Sequence, residues 1–555
     1  METTGRWTRG AVLLALWALA MVLVFRVQIF SGFALGFGDR ADGIIEISIL
    51  EHWRNVLTGH GVWNQPLYFH PHGGTLGYND GYLLYGLIYS FWRIWFDPFL
   101  SDTLNIATFR TIGFFAAYAL VARTLRWEWT VAAMVALLFT ISNNLVVQGG
   151  HVQVASIALL PLVALLVIEA ARAELAGHRS KARLLGAGCA ALLAAWLLTA
   201  YYMAWFTLFF ALLLVLCWLW AQGRAAPRTA WDLIRAHIGT LAICGAVFVV
   251  LTLPFLSVYL PKARETGGHG YVLSYTVTLF DPVNTGPGNL AWGWISRIVH
   301  GLFSPEFVRR FLAGEHQSGF PLLLFALTML AAHRVLRRPG QTQAMRIFAI
   351  ALLVGWVLTL RFWIVSPWIL VHWLVPGASG LRVVLRYQLF LVLPVLLLVA
   401  GVYRAQFAAW LRSAPHLAGL AALLLVVEQI NLNPPVKLDR TTNLTALESL
   451  PAPPPGCTSF YVVTARQNEP QQFDAKIAAL YPHNVDAMYL AQRWRVPTIN
   501  GFSTFNPPGW NFADSFAADY DARVAAYAQA YRIAGLCRLD ARDAYPWRRI
   551  DTQKR

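Results

Sequence analysis

Four short groups of residues in this chain combine types and spacings that can do chemistry. The first is Gly38-Asp39-Arg40-Ala41-Asp42-Gly43, followed by Glu46 and Glu51. Asp39 and Asp42 stand three residues apart and share a face if the segment is helical. A carboxylate held beside hydrocarbon is poorly solvated, which raises its pKa and makes it a better general base. The same acids can instead cap the next helix and pair with Arg40 or Arg54. The second group runs from Tyr68 to Asp80, where His70, His72 and Asp80 are the ingredients of a metal site. Pro71 and the pair Gly73-Gly74 make a turn there, and loop histidines also serve as plain hydrogen-bonding groups. The third is Gln148-Gly149-Gly150-His151-Val152-Gln153, at the boundary of two apolar runs. His151 and Gln153 either line a substrate cavity or satisfy free helix ends. The fourth is Gly377-Ala378-Ser379-Gly380-Leu381-Arg382-Val383-Val384-Leu385-Arg386-Tyr387. Arg382 and Arg386 are one helical turn apart, and two guanidinium forks on one face suit a phosphate or diphosphate. Snorkelling of both arginines to lipid headgroups is the alternative.

The elements that must position these residues are apolar helices. The chain is 57% hydrophobic and only 13% charged, against about 25% charged for a soluble protein. Its apolar runs are longer than one globular core can bury. The formal charge of +16 is spread over short clusters between those runs: Arg6/Arg9, Arg123/Arg126, Arg172/Arg179/Lys181/Arg183, Arg224/Arg228/Arg235, Arg334/Arg337/Arg338/Arg346 and Arg404/Arg412. That is the positive-inside pattern of cytoplasmic loops, and it argues against a nucleic-acid-binding face, which gathers its cations on one surface.

The resulting expectation is a mainly α, polytopic membrane helix bundle of about eleven spans. These are 11–30, 103–122, 129–147, 152–170, 184–200, 202–221, 238–260, 319–335, 345–363, 383–403 and 416–432, with the N-terminus cytoplasmic. Residues 82–96 and 364–376 are short for a span and read as interfacial or re-entrant. Residues 1–433 form the membrane domain, with outer loops at 31–102 and 261–318. Residues 434–555 form a small extracytoplasmic α/β domain, with a strand at 458–464 and an amphipathic helix at 518–533. Cys457 and Cys537 both fall in that region and are free to pair if it faces an oxidising compartment. Asn500-Gly501 and Pro507-Pro508-Gly509-Trp510 are turn chemistry. Trp510 either seats the domain on the membrane or stacks on a sugar.

In this order, the motifs resemble those of the GT-C superfamily of membrane glycosyltransferases, in particular its large group of poorly characterised bacterial multi-spanning members. The resemblance rests on Gly38–Gly43, on Tyr68-Phe69-His70-Pro71 leading to Thr75–Asp80, on Gly150–Gln153, on Ser379–Val383 and on Val496-Pro497-Thr498-Ile499-Asn500-Gly501-Phe502-Ser503. It implies a GT-C-like bundle that transfers a sugar from a polyprenyl-phosphate-linked donor to a glycan, lipid or protein at the outer face of the membrane. By position, Asp39 is the implied general base, with Asp42 next. Arg382 and Arg386 would hold the donor phosphate, with His151, Gln153, Asp80 and His70 contacting substrate. No cofactor is implied, a divalent metal stays open, and the partners are the lipid-linked donor and membrane lipid rather than nucleic acid. The adjacent acidic pair of many such enzymes is here split by Arg40 and Ala41. Two other classes remain: a transporter or flippase of a lipid-linked saccharide, which favours charges deep within spans and internal repeats, and a non-catalytic envelope assembly protein.

Overall fold

The computed structural model describes residues 2–338, 340–463, 481–503 and 505–550. It is mainly helical, with a small sheet near the C-terminus. Among the described residues, six segments are long and apolar enough to cross a membrane: Trp7–Phe30, Pro98–Thr124, Trp129–Val147, Val152–Leu175, Tyr201–Thr266 and Val384–Ser413. Helices Leu83–Trp92, Gln343–Thr359 and Pro415–Val427 are apolar but shorter.

Several expected boundaries shift, the helix expected to end at 403 running on to Ser413 and the one expected to end at 432 stopping at Val427, and two of the shifts have plain physical reasons. Asp97 accepts from the backbone N–H groups of Phe99 and Leu100, and Pro98 takes the first helical position. This capped start moves the helix five residues ahead of 103 and shortens the loop expected at 31–102. The helix Ala226–Thr266 has 41 residues and runs through Pro254 and Pro261, so the loop expected at 261–318 begins after 266. At about 1.5 Å per residue it is about 60 Å long, twice a bilayer's hydrocarbon core. Residues 82–96 carry the helix Leu83–Trp92, and residues 364–376 carry the seven-residue helix Trp368–Leu374.

Two elements of the first loop set the frame for the site. Helix Asp42–Leu57 is buried along most of its length, packed between Leu83–Trp92 and the tail helix Tyr481–Trp494. Glu51 is held there by Arg93 at 2.5 Å and by the Tyr89 hydroxyl at 2.6 Å. Gly86 lies flat under Trp53, where an added Cβ would come within 2.4 Å of the indole, so the two helices approach as closely as they do only with glycine there.

The tail is stitched to this loop. Strand β1 (Leu35–Gly36) pairs antiparallel with β2 (Leu438–Asp439). Residues 67–70 exchange backbone hydrogen bonds with 498–500: Thr498 donates to Leu67, His70 to Thr498 and Phe69 to Asn500, at 2.8–2.9 Å. Beyond this seam, β3 (Ser459–Val463) lies parallel to β4 (Leu536–Asp540), which pairs antiparallel with β5 (Trp547–Arg549). The helix Tyr520–Ala530 falls within the expected 518–533, and Thr464 of the expected strand lies outside the described residues. Cys457 and Cys537 are disulfide-bonded, with Cα atoms 5.6 Å apart.

Candidate active site

A cavity of about 520 Å³ opens where helix Asp42–Leu57, the 149–153 turn, helix Ala226–Thr266, the 377–386 segment and the tail meet. Six of the residues singled out from the sequence line it: Asp42, Asp80, His151, Gln153, Arg382 and Arg386. Asp39 and His70 do not.

Asp39 stands just before the helix that Asp42 opens. Its carboxylate accepts from the N–H groups of Ala41 at 2.8 Å and Asp42 at 3.0 Å, which satisfies donors that a helix start leaves free. Burial, and then the charge of Asp42, raise its pKa. The implied first choice of base is thus a capping group. Its three-residue spacing from Asp42 places the two acids at different jobs instead of on one helical face. Of the pairings open from sequence, Arg54 does meet an acid, but it is Glu51 at 3.5 Å, and Arg40 meets Asp486 at 2.6 Å.

Asp42 belongs to a chain of alternating charges. His151 Nδ1 lies 3.2 Å from Asp42 Oδ2, and His151 Nε2 lies 3.2 Å from Glu315 Oε1. Both partners are carboxylates that only accept, so the imidazole donates from both nitrogens and is the charged form. Burial alone would lower its pKa, but the charge of Glu315 and the two hydrogen bonds prevail, and it is pushed up to about 9. Arg386 closes the chain with a fork on Glu315, Nη2 to Oε1 at 2.5 Å and Nε to Oε2 at 3.2 Å. Glu315 is buried, which would raise its pKa, yet Arg386 and His151 hold it well below the usual carboxylate range. Asp42 is likewise held low: the hydrogen bond from His151 and the charges of His151 and Arg386 overcome desolvation.

Arg382 differs. The expected single helical turn is absent: Leu381 and Val383 are extended, and Val384–Arg386 is a short 3-10 turn. The backbone N–H groups of Arg382 and Val383 both donate to the Tyr202 hydroxyl, at 2.8 and 3.2 Å. That turn sends Arg386 inward and leaves Arg382 exposed. Its guanidinium lies 5.5 Å from the centre of the Tyr275 ring, and among the described residues it makes no ion pair. Its charge also reaches His269, whose pKa falls to about 4 through burial first and Arg382 second.

The other lining residues are held by structure. Gln153 accepts from the Tyr82 hydroxyl at 3.2 Å. Asp80 accepts from the Tyr201 N–H at 3.3 Å, and burial raises its pKa. Lys262 donates to the Tyr78 hydroxyl at 2.9 Å and to Glu265 at 2.8 Å. Glu46, one helical turn beyond Asp42, lines the cavity beside Asp102. Burial, and then the charge of Asp102 beside it, raises the pKa of Glu46 well above its ordinary value.

His70 is part of the seam to the tail: its N–H donates to Thr498 and its carbonyl accepts from the Tyr527 hydroxyl at 3.1 Å. His72 packs against the rings of Tyr527 and Tyr531. With Asp80 turned to the cavity, the three do not assemble as a site, and no group of three metal-ligating side chains is found among the described residues. The tail motif divides in the same way. Asn500 is fully buried among Asn484, Tyr520 and the backbone of Val462, whereas Phe502, Ser503 and Phe505 line the cavity. Trp510 neither seats the domain on a membrane nor faces a sugar: it is buried against Phe69 and donates to the Ile499 carbonyl at 2.9 Å.

Sequence reasoning missed Glu315, Tyr202, His269 and the Tyr78–Lys262–Glu265 group. Glu315 stands in Gly314-Glu315-His316, an outer-loop triplet with no distinguishing pattern, 71 residues before the arginine it meets. Compared with models of known protein families and with curated proteins, the chain matches none.

Proposed function

We propose that the chain is a membrane glycosyltransferase of inverting type, moving a sugar from a polyprenyl-phosphate-linked donor to an acceptor hydroxyl. We read the chain as crossing the cytoplasmic membrane about eleven times, with the N-terminus inside and the tail outside. The observation that carries this reading is the shared cavity: an ionised carboxylate, Asp42, and a guanidinium, Arg382, that makes no ion pair among the described residues border one hollow at the ends of apolar helices. In the proposed step the acceptor oxygen attacks the anomeric carbon and the bond from that carbon to the phosphate oxygen breaks. The acceptor's proton passes to Asp42. The donor's phosphodiester is thereby cleaved to a leaving lipid phosphate monoester whose growing charge meets Arg382, and stabilising that charge is where a fixed cation lowers the barrier most. Asp39 takes no part, because it does not line the cavity.

A second reading, a transporter or flippase of a lipid-linked saccharide, has one observation in its favour: the buried Glu46–Asp102 pair is an ionisable group deep beside the cavity. A purified-protein assay with radiolabelled polyprenyl-phosphate sugars separates the readings. Transfer to any acceptor should fall at least about a hundredfold in Asp42→Asn and persist in Asp39→Asn, since asparagine caps nearly as well as aspartate. Equal loss in both variants would remove the assignment of the base. Movement of donor across sealed vesicles without transfer would replace the enzyme with the flippase, and neither outcome would leave the assembly protein.

A further inference from the structure

Away from the cavity's charge network, three short elements present a surface that water does not explain. Residues 362–365 form a tight hairpin, in which Phe362 and Val365 donate to each other's carbonyls at 2.7 and 3.0 Å. Its tip is Trp363, held in the left-handed region at φ 59° with 90% of its surface exposed. A bulky residue in that conformation is strained, and an exposed indole adds a hydration cost. Helix Trp368–Leu374 follows, with Trp373 and Leu374 74% and 76% exposed. Against this lies helix Pro305–Phe311, joined to the hairpin's base by Arg361, whose guanidinium sits 4.9 Å from the Phe311 ring centre. Arg309 and Arg310 are exposed on that helix, and its one acid, Glu306, lies in the first turn.

We propose that this surface lies in the bilayer leaflet on the cavity's side, with its tryptophans at headgroup depth and Arg309 and Arg310 on the phosphates of anionic lipids. Charge complementarity selects the occupant: clustered arginines among exposed aromatic side chains fit an anionic, amphipathic layer. Continuity supports it, because the hairpin extends the apolar helix Gln343–Thr359, whose Val354 and Val357 are also exposed. The chain then passes straight to Gly377, Ser379, Gly380 and Arg382, which line the cavity. The surface therefore fixes the cavity mouth at the height of lipid headgroups.

The full chain in nanodiscs tests this. The fluorescence of Trp363, read as the difference between the protein and Trp363→Phe, should be quenched by lipids brominated near the headgroup and spared by aqueous iodide. Quenching by iodide overturns the proposal, and protection from both quenchers overturns it in favour of a protein interface. In mixed phosphatidylcholine and phosphatidylglycerol, Arg309→Gln/Arg310→Gln should lower the preference for co-purified phosphatidylglycerol about tenfold or more. An unchanged preference overturns the anionic-lipid assignment, and the helical circular dichroism of each variant guards against misfolding.

Discussion

Arg386 and Arg382 are four residues apart and border the same cavity, yet they occupy opposite electrostatic regions. Around Arg386 every charge is answered: Glu315 takes its fork, His151 joins Glu315 to Asp42, and the signs alternate from the buried Arg386 out to the half-exposed Asp42. Around Arg382 there is an aromatic ring, a neutral histidine and no carboxylate partner among the described residues. A buried charge whose partner is already present is committed to the fold. An exposed one without a partner is available to a ligand. Under the proposed function the first region holds Asp42 in place and the second receives an anion.

The sharpest way to break this comparison is Glu315→Ala. It strands Arg386 and deprives His151 of one partner, and should cost about 3–5 kcal/mol of stability, read as a large drop in thermal midpoint in detergent. Arg382→Gln should do the reverse. Transfer should fall about a hundredfold while the midpoint stays within about 0.5 kcal/mol of the parent, as for a surface substitution. If Arg382→Gln unfolds the protein and Glu315→Ala does not, the two regions have been assigned the wrong way round. The smallest effect is on pH. The pKa of His151 is raised from 6.5 to about 9, so its contribution to stability is complete below about 6.5 and disappears as pH rises through about 9. The midpoint should decline across that window in the parent and stay flatter in His151→Gln.

What could be read from residues alone follows the range of the interaction. The helices were legible because apolar composition acts over every turn, although a capped start at Asp97 and prolines tolerated inside Ala226–Thr266 moved their ends. The short motifs around Asp42, Asp80, His151 and Arg382 were legible as polar islands in an apolar chain, and the six candidate site residues Asp42, Asp80, His151, Gln153, Arg382 and Arg386 line one cavity. Roles within it were not legible. An aspartate that caps and an aspartate that faces a cavity look alike at Asp39 and Asp42, because the distinction lies in which backbone N–H groups come within reach. Glu315, Tyr202 and the union of Cys457 with Cys537 depend on contacts between distant parts of the chain. The same holds for Trp510, whose burial under Phe69 follows from a seam between residues more than 400 positions apart.

That seam sets an order of events. Phe502, Ser503 and Phe505 form one side of the hollow, and they are synthesised only after the last apolar helix, Pro415–Val427. The bundle can therefore be complete while its chamber still lacks a wall, and the 67–70 backbone waits for 498–500 to zip against it. A protein cut short after its final apolar helix would insert and yet have nowhere enclosed to hold a ligand, so competence arrives with the tail.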